Sequence, residues 1–135
     1  MSAATFHAVG QGHQFLRRVL LADGMISGTL GILFIVLAGP MADYVGLSTI
    51  FLRLVGLSLL PFSVSLLLLA GRLDQYRSLV WAIVGLNAVW VLASMLLLVS
   101  GWVDPTTIGI AVIIVQAIMV AGFAELQYIG LRRAE

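Results

Sequence analysis

Four long apolar stretches dominate this sequence, and each is long enough to cross a lipid bilayer as a helix. They cover about 19–39, 47–70, 79–100 and 108–130. A hydrocarbon core of roughly 30 Å needs about 20 apolar residues in helical form. A segment inside lipid must also satisfy its own backbone hydrogen bonds, and no alternating pattern of a barrel strand is present. The sequence therefore predicts an all-α membrane protein with four transmembrane helices.

The links between these stretches are short and carry turn-forming residues. Gly39 and Pro40 follow the first stretch, Gly71 and Arg72 the second, and Pro105 precedes the fourth. Short links make consecutive helices antiparallel neighbours, which predicts an up-down-up-down bundle. We expect a short cytoplasmic arm over residues 1–16 and a transmembrane domain over 17–135.

The composition excludes several classes of protein. Of 135 residues, 61% are hydrophobic and 10% are charged, whereas soluble domains average roughly 45–50% and 25%. A water-soluble enzyme and a nucleic-acid binder are therefore excluded. The chain has no cysteine, which rules out disulfides and thiolate metal sites. His7 and His13 lie outside the predicted spans without a third ligand, so we expect no metal site and no cofactor.

The basic residues predict the orientation in the membrane. All seven are arginines, and six of them flank the same side of the predicted bundle: Arg17, Arg18, Arg72, Arg77, Arg132 and Arg133. Cytoplasmic loops carry an excess of basic residues. We therefore expect both termini and the middle link on the cytoplasmic side.

Polar residues within the predicted spans suggest one candidate site. Ionisable groups in a membrane are costly and are functional candidates by default. Asp23 lies about 8 Å from the cytoplasmic side, Glu125 about 10 Å and Asn87 about 15 Å, at 1.5 Å per helical residue. In an up-down bundle the first and third helices both neighbour the fourth. An intramembrane polar site formed by Asp23, Asn87 and Glu125 is therefore geometrically permitted. The alternative is that each acid reaches the arginines at the membrane interface.

The chemistry of such a site stays open at this stage. Two ionised carboxylates at close range would repel each other. A shared proton or a bound cation would serve transport, whereas hydrogen bonds to an asparagine would hold the helices together. Small residues beside the acids predict close helix packing, either within the chain or with another copy or a membrane partner. These residues are Gly24, Gly28 and Gly31 on the first helix and Ala117, Ala121 and Ala124 on the fourth.

Two further residues have predicted structural roles. Arg53 lies 19 residues from Arg72, or about 28 Å along a helix, so we expect it to anchor the outer membrane interface. Pro61 falls inside the second span. Because proline lacks an N–H, we expect a helix kink and a free carbonyl at Leu57.

Four segments resemble a group of small bacterial four-helix inner-membrane proteins, between Leu16 and Arg133. They are LRRVLLADGMISGTLGILF, GLSLLPFS, LNAVWVLASMLLLVSGWV and AELQYIGLRR. The resemblance implies the fold and a bacterial inner-membrane location, but no activity. The sequence favours a non-enzymatic structural or accessory membrane subunit. The alternative is a small proton- or cation-coupled carrier or channel.

Overall fold

The computed structural model describes residues 2–135, which form five helices and contain no strand. The helices are α1 (Ala3–Val36), α2 (Ala38–Val45), α3 (Thr49–Ala70), α4 (Leu73–Ser100) and α5 (Thr107–Arg133). All except α2 are long and apolar enough to cross a membrane. The predicted all-α membrane class with four spanning helices is confirmed.

Several helix bounds differ from those expected. The α1 helix begins at Ala3, where the Ser2 hydroxyl accepts a hydrogen bond from the backbone of Thr5. The described part of the predicted arm is thus helical, continuous with the first span and mostly exposed. The first link contains α2, which ends at Gly46 in the left-handed conformation (φ 71°). A non-helical Tyr76 (φ −124°, ψ 26°) interrupts α4 near its start.

Glycines bring the backbones of α1 and α3 close together. A Cβ added to Gly56 would lie 2.6 Å from the Gly31 carbonyl oxygen, so only glycine fits there. Nearer the start of α1, the Ser63 hydroxyl donates a hydrogen bond of 2.5 Å to the Gly24 carbonyl. Gly24 therefore meets a late residue of α3 and Gly31 an early one, so the contacts run in opposite order along the two helices. This α1–α3 contact is the most extensive in the molecule.

The α5 helix packs on both α4 and α1. The Trp81 and Tyr128 rings meet edge to face with centroids 5.6 Å apart. The Arg77 guanidinium donates a 2.9 Å hydrogen bond to the Leu131 carbonyl. By contrast, α3 and α4 contact each other little, although they are consecutive spanning helices.

Two apolar cores lie towards opposite ends of the bundle. One joins the beginning of α1 to the α3–α4 link and the end of α5, through Leu16, Leu20, Leu66, Leu69, Ala70, Leu73, Val80, Ile83 and Leu131. The other surrounds α2, through Ala38, Val45, Leu47, Leu52 and Ile113. Residues of all five helices also line a cavity of about 850 Å³.

Candidate functional site

Asp23 is the buried acid at the centre of a hydrogen-bond network. Its side chain is 5% exposed, on the face of α1 towards α5. One carboxylate oxygen, Oδ1, accepts a 3.1 Å hydrogen bond from the Ser27 hydroxyl, one turn further along α1. The other, Oδ2, accepts a 2.6 Å hydrogen bond from Gln127 Nε2 on α5. Asn87 Nδ2 on α4 then donates to Gln127 Oε1 at 2.9 Å. The network joins three helices.

The acceptor role of Asp23 sets the direction of these bonds. Both oxygens of Asp23 are acceptors in these bonds, and an amide nitrogen can only donate. Gln127 therefore presents its amide nitrogen to Asp23 and its oxygen to Asn87. Asn87 uses its nitrogen for that bond, which leaves its Oδ1 at the free end. Every fully buried side-chain nitrogen or oxygen among residues 2–135 has a partner, so this Oδ1, which has none, keeps some exposed surface.

Glu125 does not belong to this network, contrary to the prediction. Its side chain is exposed on the outer surface of α5. Gln127, which is fully buried, occupies the position on α5 that was predicted for Glu125. Successive helical residues turn by about 100°, so positions 125 and 127 point in nearly opposite directions. The structure thus joins Asp23 and Asn87 through Gln127 and places Glu125 outside their network.

A helical repeat in α5 was the signal that could have found Gln127. Buried or half-buried residues recur at intervals of three and four along the inner face of this helix: Ile113, Ala117, Val120, Ala124, Gln127 and Leu131. Extending that face selects Gln127 and leaves Glu125 outside. The prediction gave more weight to formal charge than to helical phase.

A second polar cluster lies nearer the α2 end, again between α4 and α5. Trp90 Nε1 donates a 2.8 Å hydrogen bond to Gln116 Oε1. Gln116 Nε2 donates to the Ser94 hydroxyl at 3.0 Å and to the Ile113 carbonyl at 2.9 Å. The interhelical role expected of polar residues in a membrane bundle thus applies to Gln116.

The cavity of about 850 Å³ lies beside both clusters. Asp23, Ser27 and Asn87 line it at the level of the first cluster, and Trp90 and Gln116 at that of the second. The rest of the lining is predominantly apolar. Polar groups placed at a few points of an apolar cavity are typical of small-molecule sites in proteins.

Arg53 and Pro61 lie outside the network. Arg53 is exposed in the first turns of α3, and none of the ion pairs among the described residues includes it. The α3 helix continues through Pro61, which lines the cavity. Non-helical dihedral angles occur at Tyr76 of α4. The Ser65 hydroxyl donates a 2.8 Å hydrogen bond to the Pro61 carbonyl.

No group of three or more histidine, aspartate or glutamate side chains within residues 2–135 is arranged to hold a metal ion. Comparisons of the chain with models of protein families, with curated proteins and with solved structures find no match. The geometry of the helices, the network and the cavity is therefore the basis for assigning a function.

Proposed function

We propose that this integral membrane protein is a non-enzymatic structural or accessory subunit that assembles through an exposed face of α5. The observation that carries the proposal is the position of Glu125, an acid exposed on the outer surface of an apolar helix. An ionisable group that faces lipid is costly, and such groups usually face protein or water instead. A contact with another chain would remove this cost.

The surface around Glu125 suits close contact with a helix. We call it the α5 face, formed by Ile118, Ala121, Gly122 and Glu125. Ile118 and Ala121 are exposed, and a Cβ added to Gly122 would meet nothing within 4 Å. Small residues let two helices approach closely in lipid. The occupant we propose is a second copy, because a two-fold contact places two Glu125 carboxyls together, where they can share a proton.

The buried network supports a structural role for the interior. Both carboxylate oxygens of Asp23 accept hydrogen bonds from the chain itself. The network therefore needs no bound cation to be satisfied, and it joins α1, α4 and α5 as an interhelical link.

Contacts at one end of the bundle support the proposed orientation. Gly12 of α1 packs against Arg133 of α5, and Arg77 of α4 reaches Leu131. The six clustered arginines thus belong to the end that contains both termini and the α3–α4 link. With the positive-inside rule, this favours an up-down bundle with both termini in the cytoplasm. The resemblance to bacterial four-helix proteins favours the inner membrane.

Energy transfer between copies in vesicles tests the proposed assembly. Because the chain has no cysteine, Gly39→Cys gives one labelling position on the exposed side of α2. Donor- and acceptor-labelled proteins are reconstituted together and diluted with lipid. We expect transfer to persist on dilution, to fall to the random level in Gly122→Leu, and to persist in Gly85→Leu, whose glycine on α4 also faces open space. Loss of energy transfer on dilution of the protein that carries neither leucine substitution would contradict the proposal. Equal transfer in Gly122→Leu and Gly85→Leu would contradict it as well.

A proton- or cation-coupled carrier is the second candidate, because Asp23 and Asn87 line the cavity. The test is proton flux into vesicles that enclose a pH-sensitive dye, with Asp23→Asn as the variant and Glu125→Gln as its matched control. The structural proposal expects all three proteins to match empty vesicles. Flux that is lost only in Asp23→Asn would establish the carrier instead.

A further inference from the structure

The size of the cavity is the first argument that it holds a ligand. Ligand sites for small molecules measure roughly 300–1,000 Å³, and this cavity measures about 850 Å³. Protein interiors contain few voids larger than a water molecule. A cavity of this volume among the four long apolar helices is therefore unusual, and its predominantly apolar lining disfavours water.

The shape of the cavity indicates an elongated occupant. On α4 its lining extends from Ile83 to Leu97, which is about 21 Å along the helix axis. Four phenylalanines contribute to the wall: Phe34 from α1, Phe51 and Phe62 from α3, and Phe123 from α5. A long hydrocarbon chain fits this length and chemistry better than a compact polar molecule.

The cavity opens between α3 and α4. These helices contact each other little, and exposed residues from both line the cavity, including Ser58 and Ser65 on α3 and Leu86 and Ala93 on α4. Both helices are apolar enough to lie in a bilayer. A ligand dissolved in the membrane can therefore enter sideways without passing through water.

Asn87 supplies the polar contact that specifies the head of the ligand. The other side-chain carboxyl and amide oxygens of the lining accept hydrogen bonds from the protein: Asp23 from Ser27 and Gln127, and Gln116 from Trp90. Asn87 is 4% exposed, and its Oδ1 has no donor among the described residues. The ligand head must therefore donate a hydrogen bond. A neutral hydroxyl suits an amide oxygen, whereas an ammonium group would be drawn to the neighbouring Asp23 carboxyl, whose two oxygens already accept hydrogen bonds from Ser27 and Gln127.

We propose that the cavity binds a membrane-dissolved lipophile with a hydroxyl head, which donates a hydrogen bond to Asn87 Oδ1 while its hydrocarbon chain extends along the cavity towards α2. The site is independent of the α5 face, so neither proposal depends on the other.

Quenching of Trp90 fluorescence tests this binding, because Trp90 lines the cavity. Trp81→Phe and Trp102→Phe leave Trp90 as the single tryptophan. The probes are a long-chain alcohol with bromine on its chain, its methyl ether, and the corresponding amine, each added to vesicles. We expect half-maximal quenching by the alcohol at about five- to tenfold lower concentration than by the ether, which corresponds to one hydrogen bond. Equal quenching by alcohol and ether, or preference for the amine, would overturn the proposed head group.

Three variants locate the site. Asn87→Leu is expected to abolish the preference for the alcohol over the ether. Ala93→Phe, which fills the cavity from an exposed position, is expected to weaken quenching by both probes more than tenfold. Its matched control is Ala88→Phe, an exposed position of α4 that does not line the cavity. Should Asn87→Leu fail to fold, the Ala93 and Ala88 pair still decides the location. Equal quenching in that pair would refute the cavity as the binding site.

Discussion

The two sides of α3 differ in how they meet their neighbours. Towards α1, Gly56 and Ser63 meet backbone atoms of α1, and the helices are in close contact. Towards α4, Ser58 and Ser65 line an open cavity and bond only to their own helix. In lipid, where apolar surface alone does not drive helices together, side-chain shape and interhelical hydrogen bonds decide which contacts close.

The largest predicted effect comes from breaking the closed side. A leucine at Gly56 would force its Cβ against the Gly31 carbonyl oxygen, where an added Cβ would lie at 2.6 Å. Because the obstacle is backbone, we expect Gly56→Leu to lower the free energy of unfolding by about 3 kcal/mol or more. Denaturant unfolding in detergent measures this change. Gly85→Leu on α4 is the control, since a Cβ there meets nothing within 4 Å; equal destabilisation by both would contradict the close α1–α3 contact.

A smaller effect is expected from the network that ties α1 to α4 and α5. Gln127→Leu removes the amide nitrogen that donates to Asp23 Oδ2 and the amide oxygen that accepts from Asn87 Nδ2. Leaving buried polar groups unpaired costs about 1–3 kcal/mol, and we expect destabilisation in that range. The same unfolding assay on Glu125→Leu, in dilute monomeric protein, should give a change within about 0.5 kcal/mol. A larger loss of stability in Glu125→Leu than in Gln127→Leu would contradict the placement of Gln127 inside the bundle and Glu125 outside it.

The smallest predicted effect compares two serines that lie two residues apart. Ser63 donates to the Gly24 carbonyl of α1, whereas Ser65 donates to the Pro61 carbonyl of its own helix. Interhelical hydrogen bonds in membranes contribute about 0.6 kcal/mol on average. Ser63→Ala should lose about that much stability and Ser65→Ala almost none. Thermal unfolding of the two variants side by side resolves the difference, and a larger loss in Ser65→Ala would contradict the assignment of the two sides.

Much of the fold could be predicted from the sequence, because long apolar stretches admit few alternatives in a membrane. That Asp23 and Asn87 lie in the same half of the bundle, where Gln127 links them, could also be expected from their positions along the helices. Choosing Gln127 over Glu125 required knowing which side of α5 faces the other helices. The depth of a residue along the helix does not give that direction. The gap between α3 and α4 was not predictable either, because short links only require consecutive helices to be near one another, not to be packed along their length.

Lipid access to Trp90 tests the difference between the two sides of α3 most directly. The protein with Trp90 as its single tryptophan is reconstituted in vesicles of phosphatidylcholine with brominated acyl chains and in unbrominated vesicles. If the cavity opens between α3 and α4, brominated chains reach Trp90 and reduce its fluorescence strongly, and Ala93→Phe restores most of it while Ala88→Phe does not. Fluorescence of Trp90 that is equal in the two kinds of vesicle would contradict an open side and place α4 in close contact with α3.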